Sequence, residues 1–141
     1  MKGLLLSNGD IVVGQQGLVT VSGQEKVVQD MVVATKEPYG SNPFHPGWGS
    51  YMQSFVGQDA QTAPALAQTE VVRLVNNYMT VQSYIHQQAI ANGGKSPYTN
   101  DDWVTGLVDM TVSQDTESLT ISATLGTAAG ATVGISTVVA G

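Results

Sequence analysis

Residues 118–125 read Ser-Leu-Thr-Ile-Ser-Ala-Thr-Leu, and their alternation is complete. Leu119, Ile121, Ala123 and Leu125 share one face, while Ser118, Thr120, Ser122 and Thr124 share the other. A period of two is the signature of a strand with one buried face, because successive side chains point to opposite sides of a pleat. Neighbouring segments carry the same pattern. Val108, Met110 and Val112 alternate with polar residues, "SQDTE" turns the chain, and after "GTAAGA" comes a β-branched run from Thr132 to Val139. The C-terminal third is therefore expected to be a β-segment.

Upstream the periodicity changes. From about Pro64 to Asn92, closed by "NGG", Val71, Leu74, Tyr78, Val81 and Ile85 recur at intervals of three and four. That is a narrow heptad-type seam on one long helix of roughly 40 Å. A rod of this length exceeds what a small domain covers, so one end is expected to project toward a partner. At the N-terminus, Asn8-Gly9 between Leu4–Leu6 and Ile11–Val13 predicts a hairpin. A looser turn over Gly14–Gly17 leads to Leu18, Val19 and Val21. Ser22 and Glu25 are spaced as a capping box ahead of a helix with Val27, Val28, Met31 and Val32 on one face. The expected class is α+β: one domain over residues 1–141, with a small antiparallel sheet, an N-terminal hairpin, one short and one long helix, and the C-terminal β-segment.

Between the helices lies "TKEPYGSNPFHPGWGSYM", residues 35–52. Its prolines and glycines exclude a helix or a central strand, yet its aromatics favour burial. Two readings follow. Tyr39, Phe44, Trp48 and Tyr51 form a sugar-binding platform, or they staple a connector to the core. The second is preferred: Gly40, Gly47 and Gly49 supply turns, and Phe44, Trp48 and Tyr51 anchor them. Ser50 to Val56 is expected to form a short helix.

The composition bounds the partners. The 141 residues carry a formal charge of −6, with 5 Lys and Arg against 11 Asp and Glu, which argues against nucleic acid and anionic membrane. Charged residues make up 11%, against about a quarter in ordinary domains, which suits a subunit covered in an assembly. There is no cysteine, so disulfides and thiolate metal sites are excluded. "MKGLLLSNGD" is too short for a signal peptide and no segment approaches a membrane span, so cytoplasmic synthesis and assembly are expected.

Catalytic patterns are missing from the sequence. His45 and His86 are the only histidines, and neither lies in a metal-binding spacing. A glycosidase needs two carboxylates flanking one bond. Glu37, Asp59, Glu70, Asp101 and Asp102 are candidates, but no pair is marked. The glycines of "LGTAAGATVG" fall between strands rather than ahead of a helix, and no nucleophile elbow occurs. The expectation is no enzyme, no cofactor and no metal.

The order of features resembles one family. Gly9 and Asp10, Gln24, Thr35, Gly40 and Ser41, Pro46, and Gly49 and Ser50 match the short motifs of the sheath-initiator proteins of contractile-tail baseplates, found in myophages with relatives in tailocins and type VI secretion baseplates. With the long helix and terminal β-segment, the likeness covers nearly the whole chain. It implies a structural virion protein, in about six copies around the tube. Baseplate wedge proteins lie below it, tail sheath protein above, and tail tube or hub nearby. Many family members carry Glu-Pro-Arg after the long helix. Here "GGKSPYTNDDW" has Pro97 without either charge, so the wedge contact is expected from other residues.

Three surfaces are assigned on this basis. Val71, Leu74, Tyr78, Val81 and Ile85 are expected to face protein along their length, the chain's own domain at one end and the wedge at the other. Gly40, Phe44, Trp48, Gly49 and Tyr51 form the structural loop. Thr132, Val133, Gly134, Ile135, Ser136, Thr137, Val138 and Val139 form an outer strand that pairs with extended arms of the sheath. From Ser118 to Gly141 no residue is charged, so this run is either a central strand or an open edge completed by a partner. The alternatives are a lysozyme-like peptidoglycan hydrolase and a carbohydrate-binding module.

Overall fold

Six short strands open the chain: β1 (Lys2–Leu4), β2 (Leu6–Ser7), β3 (Asp10–Ile11), β4 (Val13–Gly14), β5 (Gly17–Leu18) and β6 (Thr20–Ser22). The structure is a computed structural model that describes residues 1–7, 10–44 and 46–140. β2 and β3 pair as Leu6 with Ile11 and Ser7 with Asp10, the hairpin expected from the sequence; its Asn8-Gly9 turn lies outside the described residues. β4 pairs with β5, and β1 with β6, all antiparallel. The three ladders meet in a ring of hydrogen bonds. Leu5 N–H donates to the Val19 carbonyl (2.9 Å), Val19 N–H to that of Val12 (3.0 Å), and Val12 N–H to that of Leu5 (3.1 Å). The three residues are seven apart, and each is half-buried where the ladders converge.

Helix α1 (Gly23–Lys36) follows directly. The expected capping box is not made: Ser22 precedes the helix, but its side chain forms no cap hydrogen bond. Ser22 is held as the last residue of β6, paired with Lys2, and Gly23 at a φ of 64° swings the chain away. The helix is tied to the N-terminal ladders by Gln29, whose amide accepts from Leu6 N–H (2.9 Å) and donates to the Leu4 carbonyl (2.8 Å). Val27 and Met31 are buried in the core, with Val28 and Val32 packed against its margin.

After α2 (Met52–Phe55) comes α3 (Thr62–Ala91), about 45 Å long at 1.5 Å per residue. It starts two residues before Pro64, because proline costs nothing in a first turn whose amides lack helical partners. Those amides are met by Asp59: its Oδ1 accepts from Gln61 N–H (3.0 Å) and Thr62 N–H (2.8 Å), and its carbonyl from Ala63 N–H (3.0 Å). The helix ends as "NGG" predicts. Gly93 has a φ of 79°, and Gly93 and Gly94 donate back to Ile90 and Ala89.

The C-terminal third is an antiparallel sheet of β7 (Val104–Gln114), β8 (Ser118–Thr127) and β9 (Thr132–Ala140), in that spatial order. β8 is the central strand. Its Leu119, Ile121, Ala123 and Leu125 are all buried, together with Val133, Ile135 and Val139 of β9. Helix α3 lies over β7, and α1 and α2 lie over β9, so the helices cover one face of an antiparallel sheet. The fold is α+β. One strand departs from the sequence pattern: Met110 and Val112 pack on the core, but Val108 is 62% exposed. The β7–β8 register slips between Leu107 and Asp109, and the extra residue turns the Val108 side chain to solvent.

Burial of α3 is fixed by one polar residue. Gln82 is fully buried, and its amide donates to the Val104 carbonyl (2.6 Å) and accepts Val104 N–H (3.1 Å). The side chain thereby completes the ladder at the start of β7, where pairing with β8 becomes irregular. Tyr78, one turn earlier, donates to Asp30 of α1 (3.0 Å). Burial, with the Asp30 charge beside it, holds the Tyr78 hydroxyl protonated far above the ordinary range.

The Asp59 cap sets a pH dependence. Hydrogen bonds from Thr62, then Gln61, lower the Asp59 pKa below its usual 3.8. A depressed carboxylate contributes stability that is complete above its unfolded pKa and is lost as pH falls through the folded one. Asp59→Ala is expected to lower the melting temperature at neutral pH and to flatten the acid limb of stability below about pH 4, read by thermal melts across pH.

Candidate functional site

The residues assigned to a partner-pairing strand form β9, and among the described residues that strand is paired on one side only, by β8 from Ser118–Ala140 to Gly126–Thr132. Alternate residues divide its roles. Val133, Ile135, Thr137 and Val139 point into the core, whereas Thr132, Gly134, Ser136 and Val138 point to the open face. Thr137 Oγ1 is buried with no hydrogen-bond partner. Along this nine-residue strand the outer edge therefore offers the N–H and C=O groups of alternate residues, with no lysine, proline or charge to block pairing. The open face beside it is a polar pleat, on which Thr111, Ser122 and Ser136 form one cross-strand row.

The helical seam divides along its length. Val71 and Leu74 are buried in the chain's own core beside Ala67 and Val75, so this end of the seam packs on its own domain, as the sequence suggested, and these two residues are not wedge contacts. Tyr78 is committed to Asp30, and Val81 and Ile85 are half-buried. Inward-facing Ala63, Ala67 and Glu70 rotate the buried stripe off the heptad line. The apolar side chains that α3 leaves exposed are instead Leu66, Val72, Tyr84 and Ile90.

The aromatic loop is stitched at its base by backbone. Tyr39 N–H donates to the Ser50 carbonyl (3.0 Å), Ser50 N–H to Glu37 (2.7 Å), and Gly40 N–H to Trp48 (3.1 Å). Gly49 has to be glycine: its φ is 91°, and a Cβ there would lie 2.6 Å from the Pro38 carbonyl oxygen. Tyr39 and Tyr51 stack with centroids 4.6 Å apart, and the Arg73 guanidinium carbon sits 5.3 Å and 5.8 Å from the two rings. Arg73 also donates to the Gly49 carbonyl (2.8 Å) and through Nε to both oxygens of buried Glu70 (3.0 and 3.1 Å). Tyr51 N–H completes the Glu70 shell (3.3 Å).

Two expectations for the loop are corrected. Phe44 anchors nothing, being 87% exposed, and Tyr51 is held at the surface by stacking rather than in the core. Asn42 Oδ1 accepts Phe44 N–H (3.0 Å) in a tight turn, which with Pro43 carries the ring away from the body. Trp48 is half-buried, Gly40 adopts a φ of 77°, and His45 lies outside the described residues. The anchor that the sequence did not disclose is Arg73. Its spacing of three from Glu70 was visible, but nothing in the sequence linked it to Gly49.

Three of the five acidic candidates are structurally engaged. Asp59 caps α3, Glu70 holds Arg73, and buried Asp102 accepts Thr99 N–H (2.7 Å) and pairs with the Met1 amine. His86 packs edge-on to Trp103 with centroids 5.4 Å apart. Tyr98 also packs edge-on to Trp103, with centroids 5.4 Å apart, and its pKa is pushed up to about 12 by burial and by the charges of Asp30 and Asp102. Among the described residues no group of three or more acidic or histidine side chains is placed to hold a metal ion, and no helix is long and apolar enough to cross a membrane. No protein-family model, curated protein or solved structure matches the chain.

Arg73 gives the loop a test. Arg73→Ala leaves Glu70 buried without its cation and is expected to cost about 2 kcal/mol, less than a fully buried pair because the arginine is partly exposed. Arg73→Lys should recover little of this, since an ammonium cannot match the planar fork and stack. Urea denaturation of the two variants beside Phe44→Ala, expected to be neutral, checks the assignment.

Proposed function

We propose that this chain is a structural subunit of a contractile-tail baseplate, joining the wedge to the tail sheath and templating the first sheath ring by β-strand pairing. The observation that carries the reading is the outer edge of β9: long, uncharged, and unpaired among the described residues. Backbone pairing along such an edge supplies affinity, and the alternating side chains of an incoming strand set its register. The resemblance of residues 9–50 to the sheath initiators supplies the identity of the partners. An extended arm of sheath protein takes the edge, and wedge proteins take the surface of α3 from Val72 through Tyr84 to Ile90. About six copies would form a closed ring in the virion tail after assembly in the host cytoplasm.

Removing β9 is a poor test, because deletion of residues 134–141 strips Ile135 and Val139 from the core. Charge on the open face tests the edge without touching the core. The double variant Ser136→Lys, Val138→Lys is expected to fold with a near-unchanged melting temperature and to enter baseplates, yet to yield tubes without sheath by negative-stain microscopy. Normal sheathing of tubes by this variant would remove the edge from the function.

A further inference from the structure

A groove of about 1240 Å³ lies between the N-terminal ladders and α1. Its floor is aliphatic: Leu5, Leu6, Val28, Val32 and Val33. One end is closed by Asn42, the residue whose side chain fixes the turn that presents Phe44. An empty apolar groove and an exposed aromatic ring thus lie next to each other on one patch. At 87% exposure the ring lies outside the groove of its own chain.

A patch that carries a knob and a hole side by side is self-complementary under a two-fold axis, because each copy then fills the other's hole in a single encounter. The rim supports the same pairing. Lys36, Glu25 and Glu37 line the groove and make no ion pair within the chain among the described residues, so a second copy can set each lysine against a carboxylate. Beside the groove, exposed Ile11 is the cross-strand partner of its lining residue Leu6. Contiguous apolar surface of this kind marks protein contact.

We propose that the free chain forms a two-fold dimer in which Phe44 of each copy occupies the groove of the other, seated on Val33 and Leu6. This contact lies on the α1 side of the molecule and does not rest on the role given to β9.

Sedimentation velocity on the full chain from about 1 to about 100 µM tests it, with a concentration-dependent monomer–dimer equilibrium expected. Phe44→Ala and Val33→Asp alter exposed side chains, so both should melt as the parent does at concentrations low enough for it to be monomeric, while weakening the dimer roughly 30-fold, the scale of losing an interface anchor. A photo-crosslinking phenylalanine analogue at position 44, in a mixture of isotopically light and heavy copies, should give mixed-isotope crosslinks to the Leu6 and Val33 peptides. A monomer at all concentrations, a dimer indifferent to both substitutions, or crosslinks confined to one copy would each overturn the proposal. Loss of sheathing in the β9 variant with the dimer intact separates the two surfaces.

Discussion

The bond pair between Gln82 and Val104 sets the relation between the long helix and the sheet. A glutamine amide presents one donor and one acceptor in the geometry of a peptide, so it can stand in for a neighbouring strand. Buried as it is, neither group can be left unmade without a desolvation cost, and the two bonds admit a single axial and rotational setting of α3 over β7. Val71, Leu74 and Val75 alone would tolerate sliding, because apolar contact is non-directional. With the register fixed, the turns of α3 further back meet α1 at Asp30 and the loop at Gly49, and the Glu70–Arg73 pair falls beneath the two tyrosines.

The molecule is built asymmetrically around that lock. One face of the C-terminal sheet is closed by three helices, while the other is a pleat of serine and threonine with almost no charge. Hydroxyl rows keep such a surface wet without adding long, mobile side chains, so little conformational entropy opposes its coverage by another chain. The base of the loop is likewise tied within the chain, by the backbone bonds of Tyr39, Gly40 and Ser50, the close approach of Gly49 to Pro38, and the arginine stack.

Much of this was legible in the sequence where a single period governed burial. The alternation of residues 118–125 named the face of β8 correctly because a central strand with one wet side has no freedom to do otherwise. The α3 seam was read in outline, but Gln82, Glu70 and the alanines widened the buried stripe, and a polarity-based reading counts buried glutamine and glutamate as surface. Val108 failed for a local reason, since a bulge breaks the period of two without any marker residue. Ser22 had the right spacing for a cap and the wrong backbone, which strand pairing with Lys2 dictated from twenty residues away. Phe44 shows the limit most plainly: an aromatic is a strong argument for burial only when the backbone turns it inward, and the turn at Asn42 does the reverse. Arg73 and the groove beside α1 arise from contacts between distant segments, which periodicity does not encode.

The ring of hydrogen bonds joining Leu5, Val12 and Val19 has a consequence for how the N-terminal region comes apart. Each ladder it links holds two or three residue pairs, too few to persist alone in water. Closing any one bond of the ring lowers the entropy cost of the other two, so the arrangement is cooperative at the scale of twenty residues. The three ladders are therefore expected to open together rather than one by one. Loss of the Gln29 clasp releases three ladders at once rather than fraying them from their tips, and the apolar groove beneath them vanishes in the same event.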